Sequence, residues 1–482
     1  MTIFKILLFC LLGILLLLAA VVLIRTLCFR PRKRAARQVE PLSFDRDRAV
    51  ESLRTLVRFP TVSRRSPEEE DEAAFAGLRD ALPRLFPHVF SVCAVTDLPD
   101  RGLLLHWKGR KEGAPSVMMA HYDVVPVVEE GWEKPPFEGV IEDGVLWGRG
   151  TLDTKVSLNS ALFAADTLIE EGFVPQNDVY FAFSGGEEIN GEGARHIVNY
   201  FREKGITPAL VLDEGGAVVE NVFPGVKEPC GMIGIAEKGM LDVCYEAVSG
   251  GGHASAPKPH TPVGVLAAAC TKVEGHPFRM RVSPAAAPMF DTLVRRSNFF
   301  YRMIFANLWL FSPLLDLIGK KEGGELNALI RTTVAFTRME GSGASNVIPP
   351  VARMVSNIRL NPGDTVESAL DYLRKTVKDD GVTVSLLYGT DPSPVSHVDC
   401  DAYRKIEEAV SDTWDGVVVT PYLMMQCSDS RHYAGLSEYV YRFSALDLTK
   451  EERAAIHGHN ERIRLETIYR SVAFYIRLLR KC

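Results

Sequence analysis

Val117-Met-Met-Ala-His-Tyr-Asp-Val-Val125 is the stretch from which the fold can be read. Its apolar start, residues 117–120, has the length and composition of a buried strand, which leaves His121 and Asp123 just past the carboxyl end. Open α/β sheets place their ligands there. A neutral imidazole at His121 suits zinc, and Asp123 is spaced to take the other ring N–H and fix the tautomer. A single His-x-Asp after a strand is more often a turn, so the weight of the reading rests on repetition.

The arrangement recurs downstream. Gly148-Arg-Gly-Thr-Leu-Asp-Thr-Lys155 sets Asp153 before a helix-like segment, residues 155–171, where an N-cap is the ordinary role. A second strand-like run, residues 179–183, ends in Ser184-Gly-Gly-Glu-Glu-Ile189. Adjacent carboxylates point in different directions, so one can bind metal while its neighbour serves as general base; two solvated glutamates at a helix start are the plainer alternative. A third run, residues 209–212, ends in Asp213-Glu214-Gly-Gly216. Strands ending in His, Glu-Glu and Asp would align their carboxyl ends along one sheet edge, where the ligands converge.

With 482 residues, 46% hydrophobic, the chain can bury a large core and form two or three domains. A net charge of -6 with no basic stripe in the body argues against nucleic acid as a partner. The nine cysteines show no CxxC spacing, which predicts free thiols.

Residues 3–24 are apolar except for Lys5, long enough to cross a bilayer as a helix, and Arg25, Arg30, Arg32, Lys33, Arg34 and Arg37 follow. The apolar run is long for a signal peptide, so a retained single-pass anchor is expected, and the basic flank predicts a body facing the cytoplasm.

Together the motifs resemble the dizinc peptidase and deacylase family that includes carboxypeptidase S, aminoacylase and bacterial glutamate carboxypeptidase. They are His-Tyr-Asp-Val-Val-Pro, Trp-x-x-x-Pro-Phe, Gly-Arg-Gly-x-x-Asp-x-Lys, Gly-Gly-Glu-Glu and His457-Gly-His-Asn-Glu461. The Leu-Asp-Glu-Gly-Gly form points to the carboxypeptidase S branch. The resemblance implies two zinc ions per subunit, with cobalt or manganese as substitutes. Asp153 would bridge them, one completed by His121 and Asp213, the other by Glu188 and His457. It makes Glu187 the general base and Asp123 the residue that holds His121. His459 lies in the same short loop, but the family pattern His-x-x-Asn-Glu picks His457.

Further along, Ser249-Gly-Gly-Gly-His-Ala-Ser-Ala-Pro257 reads as a plain glycine-rich loop. The resemblance instead gives His253 a part in stabilising the oxyanion. It likewise matches Asn346 and Arg359 to substrate-contacting positions, although Arg359 alone reads as an arginine on the solvent face of a strand. Relatives carry Gly-Gly-Thr-Asp where this chain has Gln426-Cys-Ser-Asp429. The resemblance makes Arg431, just beyond, the arginine that would grip a substrate carboxylate bidentately. The apolar segment of residues 299–311 contains Arg302 and Asn307 and is followed by Pro313 and Asp316, so it reads as a packed helix or greasy surface and not as a second span.

The expected architecture is α/β: a zinc-peptidase-like catalytic domain, a mixed sheet flanked by helices, with an inserted α+β lid or dimerisation domain and an N-terminal transmembrane helix. Its parts are an anchor (1–28), a basic linker (29–44), the first catalytic part (45–240), a lid (241–394) with an apolar insertion at about 276–332, and the second catalytic part (395–482). The expected activity is hydrolysis of an amide bond adjacent to a free carboxylate, in a peptide or an N-acyl amino acid. A non-catalytic, membrane-tethered peptide-binding module on the same fold is the alternative. The resemblance also allows a homodimer through the lid.

Overall fold

The computed structural model describes residues 2–31 and 39–482. Arg32, Lys33, Arg34 and Arg37 of the basic flank lie outside them. The chain divides into two compact units, one of residues 32–235, 395–424 and 428–482, the other of residues 1–31, 236–394 and 425–427.

An eight-stranded mixed sheet forms the frame of the first unit. At its centre Ser116–His121 lies between Val179–Ser184 and Leu210–Val219, parallel to both, so the three carboxyl ends share one edge. These strands are apolar along their length because they are covered on both faces. On one face Leu104, Val117, Met119, Ala182 and Val211 pack against Ile197, Val198 and Phe201 of the helix Gly193–Glu203. The helix Lys155–Glu170 packs against Ser116–His121 and in turn carries Arg46–Val57 and the amphipathic Leu465–Leu479. Antiparallel strands Gly102–Trp107 and Ala94–Leu98 extend the sheet on one side.

A small antiparallel sheet has more bearing on the site. The hairpin Val140–Glu142 and Val145–Trp147 turns through Asp143 and Gly144, both at positive φ. That is the geometry an Asp-Gly pair favours in a two-residue hairpin. Arg462–Arg464 pairs with the second of these strands and brings the last part of the chain beside Gly148, whose N–H donates to the Glu461 carbonyl at 3.0 Å.

In the second unit an antiparallel sheet runs in the order Thr333–Glu340, Val351–Leu360, Gly239–Val248, Val382–Thr390. Helices Pro262–Gly275 and Val366–Val377 cover one face, closing a core of Leu241, Val243, Tyr245, Leu266, Met354, Ile358 and Leu373. The apolar insertion is not one helix. It breaks into Ala286–Val294, Phe299–Ala306, Leu308–Glu322 and Gly324–Ile330, with a bend of 114° at Asn307 between the second and third. The N-terminal helix, Thr2–Cys28, belongs to this unit. Its length and apolarity are those of a membrane span or a signal sequence. All nine cysteines are free thiols.

Candidate metal centre

His121 closes its strand and is almost fully buried. Its Nδ1 faces the Asp123 carbonyl oxygen at 3.0 Å and Asp123 Oδ1 at 3.3 Å, leaving Nε2 aimed at Asp153 Oδ1, 2.9 Å away. The second oxygen of Asp153 stands 3.0 Å from His457 Nε2, which is itself 3.1 Å from Glu188 Oε2. Asp153 thus lies between two imidazoles, one oxygen to each.

Asp123 does more than orient His121. Its carboxylate accepts from the backbone N–H groups of Glu187 and Glu188, at 3.1 and 3.2 Å, and from Ser63 Oγ at 2.7 Å. One buried carboxylate therefore fixes the histidine and the turn that carries both glutamates. Glu461 serves Asp153 in the same way: it accepts from the Leu152 and Asp153 N–H groups at 2.7 and 3.3 Å and is held by Arg149 at 2.6 Å. Lys155, pulled down to about 7 by burial, donates to the Leu56 and Phe59 carbonyls and ties this turn to the helix Arg46–Val57. His459 turns the other way, onto Gly131, where a Cβ would stand 2.5 Å from the imidazole.

The third strand brings two adjacent acids to this edge of the sheet. Asp213 continues the row of Val211 and accepts from the Ser430 N–H at 2.8 Å, whereas Glu214 Oε1 lies 3.5 Å from His121 Nε2. Glu214 therefore reaches the His121 ring, while Asp213 holds the loop at Ser430. The doublet of acids was the only signal in the sequence, and it does not say which member faces inward. Arg149 and Glu461 lie inside the recognised motifs but had no expected role; a buried Arg–Glu pair flanking a ligand turn is the pattern that marks them.

The centre carries more carboxylate than its histidines can balance. Burial, and then the Glu214 charge, push Glu187 well above the usual carboxylate range; burial and Asp153 do the same to Glu214. Burial opposes charging of His121, yet Glu214, Asp123 and Asp153 raise it well above its ordinary value. Hydrogen bonds to Asp153 and Glu188 lift His457 to about 10. Glu188 Oε1 is buried without a hydrogen-bond partner. Donor atoms of His121, Glu187 and Glu214 lie within 4.8 Å of one another, as do those of His121, Asp153 and Glu188. Such an excess of buried oxygen donors around two imidazoles fits divalent cations.

A family model for peptidases M20/M25/M40 matches residues 117–481. The chain belongs to peptidase family M20. It is therefore a hydrolase. This M20 chain is 37% identical to the N-fatty-acyl-amino acid synthase/hydrolase PM20D1 of Xenopus tropicalis, over 96% of this chain and 93% of that one. It is 34% identical to the probable carboxypeptidase S-like 2 of Dictyostelium discoideum, over 89% and 84%. Its fold matches the M20 family metallo-carboxypeptidase Sso-CP2 of Sulfolobus solfataricus at a TM-score of 0.63, with 18% identity and coverage of 90% and 98%. The expected α/β M20 fold and the expected hydrolase are both met.

The remaining expected residues fall in two groups. Arg431 is in the first unit, donating to Asn190 Oδ1 at 2.8 Å. Next to it Asp429 accepts from Ser184 Oγ at 2.6 Å and is pushed up to about 7, chiefly by burial. His253, Asn346 and Arg359 belong to the second unit. His253 pairs with Val347 in a two-residue ladder, and the Ala254 N–H donates to the Asn346 carbonyl at 2.9 Å, so these two expected residues share one loop pair. The Ser255 N–H donates to His253 Nδ1 at 3.1 Å, which places the neutral ring's proton on Nε2. Arg359 lies 3.9 Å from Cys427 Sγ.

Proposed function

We propose that this chain hydrolyses an amide bond adjacent to a free carboxylate, in an N-acyl amino acid or a peptide, with two zinc ions. The observation that carries the reading is Asp153 set between His121 and His457, one oxygen to each. His121 with Glu214, and His457 with Glu188, would complete the two positions. When bound, the pair would supply Lewis acidity and an acidified water near neutral pH. Glu187 stands beside this set with its carboxyl buried, placed to take the attacking water's proton and return it to the leaving nitrogen. His253, with its proton on Nε2, is a hydrogen-bond donor suited to the developing oxyanion. Asn346, Arg359 and Arg431 offer polar and cationic groups for the substrate's amide and carboxylate.

The M20 relatives carry names from both chemistries, N-fatty-acyl-amino acid hydrolase and carboxypeptidase. A binding module that had lost catalysis would lack the base or a donor; the presence of His121, Asp153, Glu187, Glu188, Glu214 and His457 together supports the catalytic reading. The second unit is read as the lid, with its exposed edge strand Val382–Thr390 available for pairing into a dimer. The N-terminal helix is read as a retained anchor with the body on the cytoplasmic side.

The test is metal content and turnover of the detergent-solubilised chain on N-acyl amino acids and blocked dipeptides, with Glu187→Ala as control. About two metals per chain and turnover lost in the variant support the reading; failure to take up metal after zinc reconstitution sinks it.

A further inference from the structure

The end of the N-terminal helix is not loose against its unit. Both Nε and Nη2 of Arg25 donate to the Ala306 carbonyl, at 3.0 and 2.9 Å, closing the carboxyl end of the helix Phe299–Ala306. Asn307 Nδ2 reaches the Val22 carbonyl and Thr26 Oγ1, each at 3.3 Å, and Thr26 is fully buried there. The Arg295 guanidinium lies over the Phe29 ring at 4.1 Å. Every one of these contacts falls on the last turns of the helix or just beyond it, while residues 3–17 are exposed.

That position has a meaning in a bilayer. A hydrocarbon core of about 30 Å takes up roughly 20 helical residues. Counted from Ile3, that span runs out near Val22, where the contacts with the insertion begin. The bent pair Phe299–Ala306 and Leu308–Glu322 is therefore held at the depth where the helix would leave the lipid.

The surface turned outward at that depth is apolar. Phe299, Phe300, Trp309, Leu310, Leu314 and Leu317 are exposed, Trp309 by 55% and Leu317 by 61%. Positions 310, 314 and 317 follow helical spacing, so they form one stripe, and Lys320 and Lys321 end it. The acid within the stripe's length, Asp316, is paired on both oxygens, with the buried Arg331 and with Lys320, each at 2.7 Å. An apolar stripe with an aromatic near one end, lysines at the other and its one acid neutralised by ion pairs is the pattern of a helix lying in a membrane interface.

We propose that the outer face of Phe299–Ala306 and Leu308–Glu322 is seated in the headgroup region of the bilayer that the N-terminal helix crosses. The insertion is then a second, shallow membrane contact, and its partner is a lipid surface rather than a protein. It fixes the depth and rotation of the unit that carries His253, which a single spanning helix leaves free. This inference rests on the membrane reading of the N-terminal helix and is independent of the hydrolytic one.

The experiment uses the full chain in vesicles of phosphatidylcholine and phosphatidylserine, some with acyl chains brominated near the headgroup. Emission of the native chain minus that of Trp309→Phe isolates Trp309, and Leu317→Cys with a polarity-sensitive label reports the same face by a separate substitution. The expected result is a loss of roughly half the Trp309 emission on brominated lipid, a blue-shifted label, and little quenching by iodide from the water. Iodide quenching without an effect of bromine overturns the proposal. Protection from both quenchers also overturns it, in favour of a protein or a second copy over the patch. Alkaline carbonate extraction of the same vesicles separates the two readings: a chain retained by the membrane with Trp309 unquenched loses only the interface. Release of the chain removes the anchor and the interface together, with hydrolysis in detergent untouched.

Discussion

Asp213 and Glu214 are neighbours of almost identical chemistry, and one step along a strand separates their fates. Asp213 accepts from the Ser430 N–H, whereas Glu214 faces His121. Substituting Glu214→Gln is expected to lower metal affinity by about 10–100-fold or more, an effect of the size seen when groups around a metal are lost. Asp213→Asn should keep the metal and loosen the loop that begins at Ser430. Metal analysis after dialysis of the two variants decides between them, and the reverse outcome would return the ligand to Asp213. Glu187→Gln should retain metal and cut turnover by about 10²–10⁴-fold, the range of a lost general base, read from kcat with KM little changed. The acids at the strand ends were legible because apolar runs stopped, three times over, at or just before side chains of a type that can hold a metal, at His121, Glu187-Glu188 and Asp213-Glu214. Which member of an acidic doublet turns inward depends on the pleat, and the pleat is set by neighbouring strands, among them Val440–Leu448, which lies more than two hundred residues away in sequence.

At the scale of elements, the turn before Lys155–Glu170 depends on a pair contributed from opposite ends of the unit. Arg149→Met leaves the buried Glu461 charge uncompensated and should cost about 3–5 kcal/mol of stability, measurable by denaturant titration. The double variant Arg149→Met with Glu461→Leu should recover most of that and remain inactive, because nothing then holds the Leu152 and Asp153 N–H groups.

Lys238 ties the second unit's sheet to its insertion, donating to the Ala328 and Arg331 carbonyls at 2.8 and 2.9 Å. Burial, with Arg359 adding to it, pulls this amine down to about 7. The unfolded chain binds the proton up to about 10.4, so between these values unfolding takes up a proton. Stability should therefore rise with pH from 7 to 10, and Lys238→Met should flatten that slope in thermal melts. The sequence showed the insertion as a single greasy stretch. Its bend at Asn307 was hidden, because a break of this kind is stabilised by contacts with the distant Val22 and Thr26.

Across the whole molecule, the larger sheet and its helices were readable from periodicity and from strand ends, and the family motifs ordered them. The placement of the N-terminal helix against the insertion was not, since nothing local in either segment encodes the other. Chelation should abolish turnover and lower the melting temperature, because ions that bind only the folded chain stabilise it and the cluster of Asp153, Glu187, Glu188 and Glu214 repels itself without them. Readdition of zinc should restore both, as followed by calorimetry and assay on one sample.

The pairing of Arg462–Arg464 with Val145–Trp147 also sets a clock. Synthesis runs at about 5–20 residues per second, so the first half of the centre exists for many seconds before His457 and Glu461 are made. A chain still being translated, or one cut short before that strand, carries its acids and its first histidine yet lacks the second imidazole and the brace on Asp153. Such a chain should turn over no substrate, and competence is expected only once Arg462–Arg464 has paired with Val145–Trp147.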